Sequence, residues 1–252
     1  MARWREAALR VKENPEDSTC MLMAVEMRLK GPEHLLPFID LIGDPHEDPF
    51  VKVMAVEALE GQAHPMLIPP LLPLTGEDHD ATTRACATHV LGMLWTPQVQ
   101  ALLKKLADDP ERRVRFAALR GLAKHGDRQA RERFRELYSE PGVTVQERNV
   151  IASVFANDIG RDAENVPIMC KVVQDMELAA MVRRLAVAAL GRSRDPAAVP
   201  ALEKAAEASP EEDIREIAGA AMRLCQRPPA PDEGNQASVS GQDDANVSLV
   251  GP

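Results

Sequence analysis

The chain has 252 residues, 45% of them apolar but only 3% aromatic, and a formal net charge of −9. The apolar share supports a large core built from Ala, Leu, Val, Ile and Met, side chains that suit closely spaced helices. The negative balance runs against a free nucleic-acid binder, whose affinity comes largely from phosphate contacts, and no run approaches about 18 uninterrupted apolar residues, so no spanning helix is expected.

The opening run from Met1 to Lys12 lacks the apolar core of a secretory signal, so a cytoplasmic address is the default expectation. A degenerate helical stripe follows at Met21, Ala24 and Met27. The first full unit then starts with an apolar stripe at Leu35, Leu36, Phe38, Ile39 and Ile42. It turns through acidic residues from Asp44 to Asp48, and continues into Val51-Lys52 with Ala55, Ala58 and Leu59. The second unit repeats the plan, with Leu67, Ile68, Leu71, Leu72 and Leu74, a turn from Glu77 to Asp80, and Thr83-Arg84 with Ala87, Val90 and Leu91. Pro69, Pro70 and Pro73 fall inside its first stripe, so that helix is expected to be kinked or broken.

The third unit has Val99, Leu102, Leu103 and Leu106, then Asp108 to Glu111, then Val114-Arg115 with Ala118, Gly121 and Leu122. The fourth is degenerate, with Phe134, Leu137 and Tyr138 before Glu147-Arg148 with Ile151, Val154 and Phe155. The fifth has Val166, Met169, Val172, Val173 and Met176, a turn from Asp175 to Glu177, and Val182-Arg183 with Ala186, Ala189 and Leu190. The sixth has Val199, Leu202 and Ala206, a turn from Glu211 to Asp213, and Ile214-Arg215 with Ala218, Ala221 and Met222. Pro32, Pro65, Pro97 and Pro196 recur where first helices begin, a position that tolerates proline.

The recurring bases lie 32, 31, 33, 35 and 32 residues apart. Offsets −1, +3, +6 and +7 from each base share one helical face, so this is the buried side of the second helix. The turn carboxylates suit the positive end of that helix and can cap it. Stacked helix pairs of this kind bury their apolar faces against neighbours and form a solenoid. The expected fold is therefore an all-α, right-handed α-α superhelix of six to seven helix pairs over residues 1–225, followed by an acidic, disordered tail over 226–252 that holds four Pro and three Gly.

The runs Met181-Val-Arg-Arg-Leu-Ala-Val-Ala-Ala-Leu-Gly191 and Asp195-Pro-Ala-Ala-Val-Pro-Ala-Leu202 resemble short HEAT repeats of the phycobilisome-lyase type, as does Val114-Arg-Phe-Ala-Ala-Leu-Arg-Gly121. The resemblance spans about residues 17–225 and implies the solenoid fold. It implies that each base pairs with an acidic turn residue of a neighbouring unit. It also admits a second function, a lyase-like or chaperone-like subunit for a phycobilin or other tetrapyrrole.

Chemistry has few anchors. Deoxyhypusine hydroxylase is similar in fold and holds a di-iron centre through several His-Glu dipeptides, but this chain has one, His46-Glu47, in a turn between Pro45 and Pro49. His79 between Asp78 and Asp80 lies in another acidic turn. No P-loop, G-x-G-x-x-G or G-x-S-x-G occurs. Cys20, Cys86, Cys170 and Cys225 form no C-x-x-C pair and are expected to be reduced and mostly buried. No catalytic residue, metal or cofactor is expected, and the chain is read as a protein-interaction scaffold or regulatory subunit.

In such a stack the second helices line the concave face, and offsets +1, +4, +5 and +8 are expected to point outward or sideways, with packing against adjacent helices the alternative for Val56, Leu119 and Phe116. The partner-binding candidates are Val53, Val56, Glu57, His89, Phe116, Leu119, Arg120 and Arg184. Their apolar character suits an amphipathic helix of another protein, with Phe116 as the anchor. The exposed ends of the stack also offer a route to self-association.

Overall fold

The computed structural model describes residues 1–62, 64–156 and 163–226. Among them are fourteen α-helices and no strand. They follow as seven consecutive pairs: α1 (Ala2–Glu13) and α2 (Thr19–Lys30), α3 (Leu36–Gly43) and α4 (Pro49–Leu59), α5 (Ile68–Leu71) and α6 (Ala81–Leu91), α7 (Pro97–Leu106) and α8 (Arg112–Lys124). Next come α9 (Arg128–Leu137) and α10 (Val145–Ala156), α11 (Val166–Gln174) and α12 (Ala180–Ser193), and α13 (Val199–Ala208) and α14 (Glu212–Gln226). The chain forms two compact units, residues 1–154 and residues 155 onward. Beyond Gln226, the last residue of α14, the expected acidic tail lies outside the described residues.

The buried face of each second helix is the one set by its repeat. Val51, Ala55, Ala58 and Leu59 are buried on α4, Thr83, Ala87, Val90 and Leu91 on α6, and Val114, Ala118, Gly121 and Leu122 on α8. In the second unit Ala186, Ala189 and Leu190 are buried on α12, and Ile214, Ala218 and Ala221 on α14. The small residues let backbones approach closely. A Cβ on Gly121 would sit 2.8 Å from the Gly92 Cα, so glycine on both sides is what allows α8 to cross α6 at this separation.

The turn carboxylates do two jobs. Asp80 Oδ1 accepts the backbone N–H groups of Thr82 (2.9 Å) and Thr83 (3.0 Å), capping α6, while Oδ2 accepts the Lys52 Nζ at 3.2 Å. Asp109 repeats the second job only, with Oδ2 accepting Arg84, while Oδ1 accepts the Glu111 N–H at 2.8 Å within the turn and α8 has no side-chain cap. Arg183 reaches Glu211 in the same way. These pairs join a base to the next unit's turn, as the resemblance implied. Arg115 and Arg215 differ. Each donates to carbonyls of the turn before its own helix, Asp109 and Pro110 for Arg115, Ser209 and Pro210 for Arg215.

The proline-rich stripe is broken as its residues require. It runs as a 3₁₀ turn (Pro65–Leu67), the single turn of α5, and another 3₁₀ turn (Pro73–Thr75). Met176, expected in an apolar stripe, lies beyond the end of α11 and is 55% exposed. The first pair is more complete than the degenerate stripe at Met21 suggested. Trp4 on α1 is buried, donates its indole N–H to the Cys20 carbonyl at 2.8 Å, and packs edge-on against Phe38 at 4.8 Å. All four cysteines are free, three buried and Cys170 half-buried. Among the described residues, no helix is long and apolar enough to cross a membrane.

Candidate partner-binding site

Second helices α4, α6 and α8 lie side by side in the first unit. The flank they turn away from the core carries an open trough of about 310 Å³. Val53 and Val56 come from α4, Thr82, Ala85, Cys86 and His89 from α6, Arg113, Phe116, Ala117 and Arg120 from α8, and Val150 from α10. The floor is mostly aliphatic, and Val53 is 46% exposed on its rim. Phe116 is half-buried, its ring 5.2 Å from the buried ring of Phe134, so its position is fixed by packing.

At one edge lies a charged cluster. Glu60 Oε1 is 3.3 Å from His89 Nε2 and 3.2 Å from Arg120 Nη2, and Arg120 Nη1 donates to His89 Nδ1 at 3.0 Å. The hydrogen bond from His89 and the charge of Arg120 outweigh burial and hold the Glu60 carboxyl at about 2. Burial keeps His89 below its usual range, against the pull of Glu60, so it accepts from Arg120 as neutral imidazole. Glu57 is exposed as a residue, yet the protein around its carboxyl pushes its pKa up, as does the nearby Glu60 charge. Burial pushes the Cys86 thiol up to about 12, so it is a thiol and not a nucleophilic thiolate at neutral pH.

Of the eight expected residues, Val53, Val56, His89, Phe116 and Arg120 meet in this trough. Glu57 stands on the exposed side of α4 outside the lining. Val56 and Leu119 take the packed alternative. Val56 is only 4% exposed at the seam with α6, and Leu119 only 3% against α9. Val56 still contributes an edge of the trough, whereas Leu119 lines a separate cleft with Arg133 and Leu137. Arg184 belongs to α12 in the other unit, where it pairs with Asp213. Thr82, Cys86, Arg113, Ala117 and Val150 were missed. They share offset −2 or +2, which the residues themselves could have signalled, since both lie on the same side as +1 and +5.

The two histidine candidates in turns are explained locally. His46 is exposed, and its neighbour Glu47 is buried, accepting from Arg5 Nε at 2.7 Å and from the Asp48 N–H at 2.8 Å. His79 sits 3.8 Å from Asp78. Among the described residues, no three His, Cys, Asp or Glu side chains converge as a metal site would need.

A family model for HEAT repeats matches residues 33–118 and 146–223. No curated protein sequence matches the chain. Among solved structures, human deoxyhypusine hydroxylase in complex with glycerol aligns with 18% identity over 89% of this chain and 97% of that one, at a TM-score of 0.37. With the family model covering well over half its length and seven helix pairs built on one recurring pattern, the chain belongs to the HEAT-repeat family.

Proposed function

We propose that the protein is a non-catalytic scaffold or regulatory subunit that binds a segment of another protein on its concave face, in the trough between Val53 and Phe116. The observation that carries this reading is the trough itself, apolar side chains on three adjacent helices that no other described element covers. Its volume of about 310 Å³ is at the bottom of the range for enclosed small-molecule pockets, and it is open along one side, which suits side chains of a partner better than a tetrapyrrole. The titratable groups beside it favour binding over chemistry. Glu60, His89 and Arg120 satisfy one another, and the Cys86 thiol is protonated.

Placing a photo-crosslinking side chain at Val53, and separately at exposed Lys105 on α7, tests the reading in cells of the source. One protein crosslinked from position 53, absent from position 105 and lost on adding Phe116→Asp, is the expected result. No crosslinked protein from position 53, together with a coloured or low-mass molecule retained by the purified chain, would replace the scaffold reading with a small-molecule one.

A further inference from the structure

The rim of the trough is charged unevenly. Helix α8 carries Arg112, Arg113, Arg115, Arg120 and Lys124 and no carboxylate. Arg112 is held by Glu147 and the Gly142 carbonyl, and Arg115 by turn carbonyls. Arg113 is exposed, lines the trough, and has no carboxylate partner among the described residues. Lys124 is likewise exposed and without a carboxylate. It borders a small cleft that shares His89, Ala117 and Arg120 with the trough. Arg113, Phe116 with Ala117, Arg120 and Lys124 thus form one stripe with spacings of three or four, seven and eleven, about 16 Å long at 1.5 Å per residue. The surplus extends beyond α8. Residues 104–135 hold eleven bases and five acids, in a chain whose total is −9.

Beyond the α4 rim, outside the trough lining, the surface is acidic. Glu57 has no base paired with it among the described residues, and Glu60 stands one turn further on. A polyphosphate chain laid in the trough would lie on an aliphatic floor beside the exposed Glu57 carboxylate, which disfavours nucleic acid despite the bases. An extended peptide would bring unpaired backbone N–H and C=O groups onto the aliphatic floor. A helix satisfies its own backbone and presents an apolar ridge beside a charged edge at the spacing of the α8 stripe.

We propose that the trough takes an amphipathic helix of an acidic protein partner, its apolar ridge seated between Val53 and Phe116 and its carboxylates against Arg113 and Lys124. This rests on the reading of the trough as a protein site. A base on the partner's other edge meets Glu57 and sets the direction in which the helix lies. Because Arg113 and Lys124 are at the rim, their charges act on specificity and association rate and are weakened by salt.

The test uses the full chain and a phage-displayed library of helical peptides with randomised faces, followed by fluorescence titration of the selected peptides. The expected winners carry a leucine-type ridge with Asp or Glu along one edge. Their affinity falls about ten-fold in the Arg113→Glu/Lys124→Glu double variant, and also as NaCl rises from about 0.05 M to about 0.5 M. Val53→Glu, at an exposed rim position that leaves the fold intact, abolishes their binding. Winners that are lost in Val53→Glu but indifferent to the double variant would overturn the charge rule and leave the trough as a neutral protein site. Binding unaffected by Val53→Glu, or no enrichment at all, would remove both. A short DNA duplex that binds more tightly than every selected peptide overturns the proposal in favour of nucleic acid.

Discussion

Lys52 is a cation with almost no access to water. It is 2% exposed, and its ammonium group is held by Asp80 at 3.2 Å and the Thr83 hydroxyl at 2.6 Å. Removing one partner of such a pair leaves an uncompensated buried charge, which costs more than the pair contributes. Asp80→Asn keeps the cap on α6, since asparagine caps as well as aspartate, and so isolates the loss of charge. Urea unfolding should show it destabilised by about 2–3 kcal/mol, less than a fully enclosed pair because Asp80 is half in water. Lys52→Met added to Asp80→Asn should recover most of that loss, and a double variant no more stable than the single would sink the argument. Burial raises the Asp80 carboxyl, but hydrogen bonds from Thr83 and Lys52 prevail and hold it well below the usual carboxylate range. A depressed carboxylate contributes stability above its unfolded pKa of about 3.9 and loses it as pH falls through the folded value. The wild type should therefore melt at falling temperatures below about pH 4, and Asp80→Asn should flatten that part of the curve. His89 has a separate window. Its folded pKa is lowered by burial, so the unfolded chain binds the proton more readily, and stability declines as pH falls below about 6.5. Melting temperatures of wild type and His89→Gln, compared at pH 7.5 and pH 5.5, should show a drop on acidification that is smaller in the variant.

At the scale of one helix, the angle of each position decides what it touches. At about 100° per residue, offsets −1, +3, +6 and +7 centre on one side, and +1, +2, +5 and −2 centre nearly opposite. Offset +4 falls between them. Most of the buried side was therefore legible in the repeat, with Val154, Val182 and Met222 only half-buried, and so were Val53, His89, Phe116 and Arg120 on the open side. Whether Val56 and Leu119 face outward or pack was left open because the sequence repeats what one helix does and does not state how close the next one lies. Between α6 and α8 that distance is set by Gly92 and Gly121. Alanine at position 121 would gain about 1 kcal/mol of helix propensity in isolation, yet its Cβ would press on the Gly92 backbone at 2.8 Å. Overpacking against backbone costs about 1–3 kcal/mol, so Gly121→Ala should lower the urea midpoint. A midpoint raised above wild type would mean that α6 and α8 can separate without cost. Helix α1 was the element least legible. Its Trp4 anchor depends on the Cys20 carbonyl and the Phe38 ring, contacts that no periodicity encodes.

Within each compact unit the described helices make their main contacts in their own pair or with the adjacent ones, such as α4 with α6 and α6 with α8 in the first unit, and α12 with α14 in the second. Stability in such an array approximates a sum of repeat terms and nearest-neighbour interfaces, and a defect is felt over a short range. Leu202, wholly buried on α13, is a suitable probe. Leu202→Ala removes a core side chain and leaves a cavity, costing about 2–5 kcal/mol at that site. In a single cooperative globule the loss would lower protection everywhere. Here it should appear in hydrogen exchange as faster opening of α11 to α14, with α3 to α8 retaining wild-type protection. The trough on α4, α6 and α8 should then bind its peptide with unchanged affinity in Leu202→Ala. Uniform loss of protection along the chain, or weaker peptide binding at equal folded fraction, would show that the repeats open as one body. That outcome would place control of the binding face in the distant repeats. Preserved binding would show that the first unit holds its partner on contacts between adjacent helices alone.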